Sequence, residues 1–331
     1  MSDSNHLQAA LRAKLEELQQ LEGMPLILYC CGGITINSSK PIQDEDVPTL
    51  YECIRRMPPS EQLGVVLFAR GGQIHAARRA ALILREHRRQ VHLYIPYKAR
   101  SAATLLCLAA NELVMTSIAE LGPIDAIIAA DSDYEKPLPQ GSPSLISSDE
   151  IKTFREMAEN WFGLDKSHNV QIFGLMAQRI FPATLSRFYR AEQQIRMLAN
   201  ELLTLHLPDK RSDGIAKIIG ELLGGRYDHN HSITRQEALE LGLPVRYANF
   251  SEEAILWEII TACDTYMKAK SSIDVPQQGF RRKIDAVICT DAFFAEYTTP
   301  IPDSIFSTQL EAQSRQKPPI GLSLSSSWIV H

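Results

Sequence analysis

Hydrophobic positions in this chain follow two alternating patterns: short continuous apolar runs of strand length, and longer stretches in which apolar residues recur every three or four positions. Leu7, Leu11, Leu15 and Leu18 share one face of a helix predicted over residues 4–22, with Ser4 as its cap and either the body or another subunit to pack on. PLILYCC, residues 25–31, reads as a buried strand ended by Gly32 and Gly33, and residues 44–56 read as a helix with Pro48 in its first turn. From Leu63 the alternation becomes regular. The strand LGVVLFA, the pair Gly71 and Gly72, a helix over 73–89, the strand VHLYIP, a nearly all-apolar helix over 101–111 and the strand ELVM follow one another. Repeated strand, turn and buried helix predicts parallel strands covered on both faces, because each crossover must lay a helix against the sheet.

Residues 116–148 turn polar and rich in Pro and Gly after the motif LGPIDA (121–126), and a stretch of this length is a candidate functional loop or lid. Helices are expected over 148–162, 167–179, 183–205 and 213–223. HNHSITRQEALELGLPV, residues 229–245, contains a short helix and a strand start, and 251–268 is a further helix with Ser251 as cap. Beyond Ser271 one strand-like run, DAVICTD (285–291), precedes a Ser/Pro/Gln-rich tail to which no element is assigned. The organisation expected is an N-terminal helix (1–24), one α/β body (25–270) and a C-terminal extension of unassigned role (271–331).

Composition narrows the class. Of 331 residues, 45% are apolar and 22% charged, the balance of a soluble globular protein. The 34 Lys and Arg against 39 Asp and Glu give a net charge of -5, which offers no global case for nucleic acid as a partner. No apolar run is long enough to span a bilayer and the N-terminus lacks the apolar core of a secretion signal, so a cytoplasmic protein is expected. Cys30, Cys31, Cys53, Cys107, Cys263 and Cys289 lie mostly inside apolar segments without a CxxC pair, and read as free buried thiols rather than disulfides or metal ligands.

Chemistry first becomes visible where the strand ended by Gly71 and Gly72 is followed by Ser101 at the start of an apolar helix. A helix N-terminus leaves N–H groups unpaired and carries positive partial charge, so a hydroxyl there faces surroundings that stabilise a negative oxygen. Gly72 adds an N–H with no side chain to obstruct a carbonyl. Two donors aimed at one point form an oxyanion hole, worth about 2.7–4 kcal/mol per donor in acyl transfer. Residue pattern alone also allows Ser101 to be no more than a helix cap.

The segments LGVVLFARGGQIHAA, LYIPYKARSAATLLCLAANELVM and LGPIDA, in this order and spacing, resemble the serine dehydrogenase proteinase family, relatives of signal peptide peptidase A and the Clp proteolytic subunit; HNHSITRQEALELGLPV resembles that family's late motif. The resemblance spans about residues 25–245. It implies a Clp/crotonase-like α/β fold of stacked ββα units with a mainly parallel sheet, followed by a helical C-terminal part, and assembly into a homo-oligomer. It also implies Ser101 as nucleophile with oxyanion donors from the backbone N–H of Gly72 and Ala102, acting on a peptide or protein substrate without cofactor or metal. Two departures stand out: Ala69-Arg70 before the glycine pair, where relatives usually have a small residue or Thr and then Pro, and Ala103 where many have Gly. Arg70 brings a long cation to the mouth of the site.

The general base has several candidates. The position where Clp-type peptidases carry their His reads LGPIDAIIAA and contains none, which disfavours a Clp-type triad. Signal-peptide-peptidase relatives use a downstream Lys whose amine must be neutral, and Lys152 stands at the right distance, although Asp149 and Glu156 beside it also fit an exposed helix lysine; Lys136 and Lys166 are weaker candidates. His229 and His231 could serve as base or face the substrate, or bind a metal, for which a third ligand is wanting. His75 could line the same pocket, and Asp125 fixes a turn. The function expected is a serine peptidase working through an acyl-enzyme on a Ser/Lys dyad. The alternatives are an inactive oligomeric binding scaffold and a crotonase-like acyl-CoA thioester enzyme, the last leaving Ser101 without an obvious task.

Overall fold

The apolar runs of the larger of two units pair into one sheet, and the helices Ser2–Glu22 and Phe250–Lys270 pack against it. The structure is a computed structural model that describes residues 2–35, 40–125, 127–129, 145–178, 180–207, 212–223, 231–270, 274–275, 280–302 and 326–331. It divides into two units, Met1–Leu121 with Ile233–His331, and Gly122–Ser232. The larger unit begins with α1 (Ser2–Glu22), β1 (Leu26–Cys31), α2 (Asp46–Arg56), β2 (Gln62–Phe68), α3 (Ile74–His87), β3 (Gln90–Ile95), β4 (Lys98–Ala99), α4 (Ala102–Cys107), β5 (Glu112–Met115) and β6 (Glu120–Leu121). The smaller unit holds β7 (Ile127–Ala129) paired with β8 (Leu145–Ser147), then α5 (Ser148–Phe162), α6 (Asn169–Ala177), α7 (Pro182–Thr204) and α8 (Ser212–Leu222). The chain returns to the larger unit with β9 (Ile233–Thr234), α9 (Arg235–Leu241), β10 (Val245–Tyr247), α10 (Phe250–Lys270), β11 (Asp274–Val275), β12 (Phe280–Cys289), β13 (Phe294–Pro302) and β14 (Ser327–Val330).

The sheet runs β10-β5-β3-β2-β1-β12-β13-β14, with β11 beside β12. Its pairings are parallel from β10 to β1 and antiparallel from β12 onward. Register aligns Cys289, Leu28, Val66, Tyr94 and Val114 in one row across five strands. That row belongs to a core completed by Leu11, Leu15 and Leu18 of α1 and by Leu256, Ile259 and Cys263 of α10. The N-terminal helix therefore packs on the body, as the 0–1% exposure of its three leucines requires. This is an α/β fold, and the crossovers expected from the alternation are present.

Several features differ from the expectation; Ser4 and Ser251, expected as caps, lie inside α1 and α10, which begin at Ser2 and Phe250. The helices expected over 101–111 and 73–89 are shorter, α4 stopping at Cys107 and α3 at His87. Short strands β4, β6 and β9 form a second sheet that the apolar pattern did not announce. The tail left without elements supplies β13 and β14, which extend the main sheet beyond β12. Polar residues hid β13: Glu296 and Thr298 are 6% and 5% exposed, and Glu296 accepts from Tyr266 Oη at 2.7 Å and pairs with His331 Nε2 at 3.2 Å. Within the candidate lid, residues 126 and 130–144 lie outside the described residues.

Candidate active site

Two turns of the larger unit meet at Ser101. Ala69, at the end of β2, donates its N–H to Lys98 O at 3.0 Å and accepts from Arg100 N–H at 3.1 Å, which sets the chain before Ser101 beside the chain before the glycine pair. Thr104 Oγ1 donates back to Ala99 O at 2.7 Å and tightens the turn into α4. Ser101 then sits at φ 51 and ψ -115, the one positive φ among the described non-glycine residues. An L-residue held there costs of order 1–3 kcal/mol, a strain that surrounding contacts must maintain and that clusters at functional sites. Ser101 accepts from Leu105 N–H through its carbonyl, and its side chain makes no hydrogen bond as cap to α4. The bland reading of Ser101 as a helix cap therefore loses its main support.

Gly71 and Gly72 have φ of 128 and 147. A methyl group on Gly71 would stand 3.1 Å from Ser101 Cβ, and one on Gly72 would stand 2.3 Å from the backbone N and O of Ile42. The first contact places the glycine turn directly against Ser101. The second shows that Ile42 closes the turn from its other side, through Ile42 N–H to Gly71 O at 2.9 Å and Gln73 N–H to Ile42 O at 2.8 Å. Ile42 was not singled out in the sequence; an isolated apolar residue inside SSKPIQDED was the available signal. Among the described residues, neither Gly72 N–H nor Ala102 N–H donates to a backbone carbonyl, whereas Ala103 N–H is spent on Arg100 O at 2.9 Å.

Charged side chains near this turn are engaged. Arg70 is exposed, its guanidinium donating to Gly33 O at 3.4 Å and lying 5.9 Å from the centre of the Phe68 ring. Lys98 and Arg100 both reach Glu120 Oε1, at 3.1 and 3.6 Å. His75 is exposed at the start of α3. All six cysteines are free and buried, as expected, and burial pushes the thiols of Cys31, Cys53, Cys107 and Cys289 upward, the last to about 12. Protonated thiols of this kind are poor nucleophiles.

The other candidates belong to the smaller unit. Lys152 on α5 forms an ion pair with Glu192 Oε2 on α7 at 2.8 Å and donates to Leu223 O at 3.4 Å. Burial would raise the Glu192 carboxyl, but hydrogen bonds from Lys152 and Arg196 outweigh it and hold the group below the ordinary carboxylate range. The partner of Lys152 is therefore an anion. His231 and Asp125 are half-buried there. His229 and Lys136 lie outside the described residues, and Lys166 begins the turn Lys166–His168. Thr234, after His231, opens α9 with a capping box: it accepts from Glu237 N–H while Glu237 Oε2 accepts from Thr234 N–H at 2.8 Å.

Residues 29–135 match the family of ClpP-like SDH-type serine proteinases, so the resemblance read from the sequence holds over the segment carrying Gly71, Gly72 and Ser101. The late motif at 229–245 lies beyond that match. Two uncharacterized proteins of Methanocaldococcus jannaschii are similar. MJ0137 is 28% identical over 206 residues, 62% of this chain and 61% of its own length; MJ1495 is 25% identical over 234 residues, 71% and 68%. The alignment thus spans about three fifths of the first relative. Among solved structures, a serine-to-alanine mutant of the 1510-N membrane-bound stomatin-specific protease is similar at 14% identity and a TM-score of 0.40, covering 64% of this chain and 77% of that one. A lysine-to-alanine mutant of the same protease with a substrate peptide stands at 13% and 0.30, covering 66% and 93%. No helix among the described residues is long and apolar enough to cross a membrane.

Proposed function

We propose that the chain is a serine peptidase in which Ser101 Oγ attacks a peptide carbonyl. The base takes the hydroxyl proton as the Oγ–C bond forms, and the N–H groups of Gly72 and Ala102 receive the developing oxyanion. Collapse expels the amine, which takes up that proton, and leaves an acyl-Ser101 ester that water hydrolyses. The observation that carries this reading is the strained backbone of Ser101 packed against Gly71 of the glycine pair. A side chain that makes no capping hydrogen bond to α4 supports attack rather than capping. The family match over residues 29–135 supports the same reaction class.

Lys152 is the base we favour. It can accept a proton only as the neutral amine, so its ion pair with Glu192 must open in the working enzyme. That ion pair is also the observation that favours a second reading, a binding scaffold with the same fold and no hydrolysis. Homo-oligomeric assembly remains part of the proposal on the resemblance alone, and a cytoplasmic location on the sequence reading of an N-terminus without the apolar core of a secretion signal. Turnover of a fluorogenic peptide set, measured beside hydrolysis of an acyl-CoA thioester, separates the readings. Peptide cleavage lost in Ser101→Ala supports the peptidase; thioester cleavage alone would support crotonase-type chemistry, and neither would support the scaffold.

A further inference from the structure

Outside the site lies a buried ion pair that the proposed reaction does not use. Lys40 and Asp46 pair with side-chain exposures of 2% and 1%, among the elements β1, α2, β13 and β14. Asp46 is the first residue of α2 and accepts four hydrogen bonds: from Lys40 Nζ, from Tyr29 Oη of β1 at 2.6 Å, from Gln43 N–H at 3.1 Å and from Trp328 Nε1 of β14 at 3.0 Å. Lys40 Nζ also donates to Pro41 O at 3.1 Å and lies 4.4 Å from the centre of the Tyr297 ring and 5.5 Å from that of Trp328. The cation is thus enclosed by a carboxylate and two aromatic faces, which replace its hydration shell.

Apolar residues of like volume would hold these elements together at least as well, because a buried pair pays for desolvation on both partners. What the pair supplies is direction. Asp46 fixes Lys40 on one side of Ile42 and the Gln43 N–H on the other, so the short span between them has little freedom. Ile42, fully buried, is the residue whose N–H and carbonyl bracket the glycine turn, and Gly72 touches it with no room for a Cβ. A chain of contacts therefore runs from Trp328 to Asp46, from Asp46 to Lys40 and Gln43 at the two ends of the span that holds Ile42, from Ile42 to Gly71 and Gly72, and from Gly71 to Ser101.

We infer that Asp46, Lys40 and Trp328 are positioning residues that hold the Ile42 span, and through it the Gly71–Gly72 turn, in the geometry that receives the oxyanion. This rests on the reading of Ser101 as nucleophile, but its structural half does not. The C-terminal strand β14 thereby contributes to the site without touching substrate.

Trp328→Phe is the informative variant, because it removes the Nε1–H donor and keeps an aromatic ring over Lys40. Amide hydrogen exchange and the second-order rate of fluorophosphonate labelling are followed in wild type, Trp328→Phe and Asp46→Asn. The expected result is exchange faster by roughly tenfold at Ile42 and Gln73, the size of one lost charge-assisted hydrogen bond, with β2 and β3 amides unchanged. Labelling slows by a comparable factor while KM for a cleaved peptide stays within about twofold, since the turn acts on the transition state. Unchanged exchange at both amides overturns the inference, as does exchange that accelerates uniformly through the sheet, which would mark general loosening. Local acceleration in a protein whose wild type neither labels nor cleaves peptide would uphold the structural coupling and reject the peptidase reading. If Asp46→Asn does not fold, Trp328→Phe alone carries the test.

Discussion

Gly72 shows how narrowly individual residues are specified around Ser101. With φ at 147 and the Ile42 backbone 2.3 Å from where a Cβ would be, Gly72→Ala must push the two chains apart. It is expected to cost about 1–3 kcal/mol, read from the urea midpoint, and to abolish labelling of Ser101. Lys152→Ala is expected to slow acyl-enzyme formation by about two to four orders of magnitude, and an unchanged rate would remove it from the mechanism. Its partner gives a pH signature. Burial opposes ionisation of Glu192, yet the Lys152 and Arg196 hydrogen bonds win and hold its carboxyl below 4.5. A depressed folded-state value stabilises the fold fully above the unfolded value and loses that contribution as pH falls through the folded one. The stability advantage of wild type over Glu192→Gln should therefore shrink between about pH 6 and about pH 3 in urea titrations; an advantage constant across that window would contradict the assignment.

Elements were legible in proportion to how cleanly burial wrote itself in side-chain polarity. β1, β2, β3 and β5 are nearly uninterrupted in burial, so their apolar runs announced them. α1 was equally plain: Leu15→Ala leaves a cavity against α10 and is expected to cost about 2–5 kcal/mol, measured by chemical denaturation. β13 and β14 were not legible, because Glu296 is buried beside Tyr266 and His331, and Trp328 lies in a short run after a Ser/Pro/Gln-rich stretch. Their partners are far away in sequence, and local pattern carries no record of them. The same holds at the site. Gly71, Gly72 and Ser101 were visible from spacing, whereas Ile42, which closes the glycine turn, and the Lys40–Asp46 pair behind it depend on tertiary contact.

At the scale of the whole molecule, the sheet of the larger unit is assembled from both ends of the chain. β1, β2, β3 and β5 come from the N-terminal part, β10 to β14 from the C-terminal part, and the smaller unit is inserted between β6 and β9. Ser101, the glycine pair and the Ile42 span all belong to the larger unit, so the proposed nucleophile and its proposed donors are carried by one compact unit. The candidate Lys152 comes from the smaller unit, which makes the base the separable part of the proposal and Ser101 its centre. Reaction of the purified chain with a fluorophosphonate, followed by mass analysis of the intact protein and of its peptides, addresses that centre directly. The account predicts a single adduct on Ser101 in wild type and none in Ser101→Ala, with circular dichroism and melting temperature unchanged by the substitution. An adduct that persists in Ser101→Ala, or a folded wild type that takes no adduct, would contradict it.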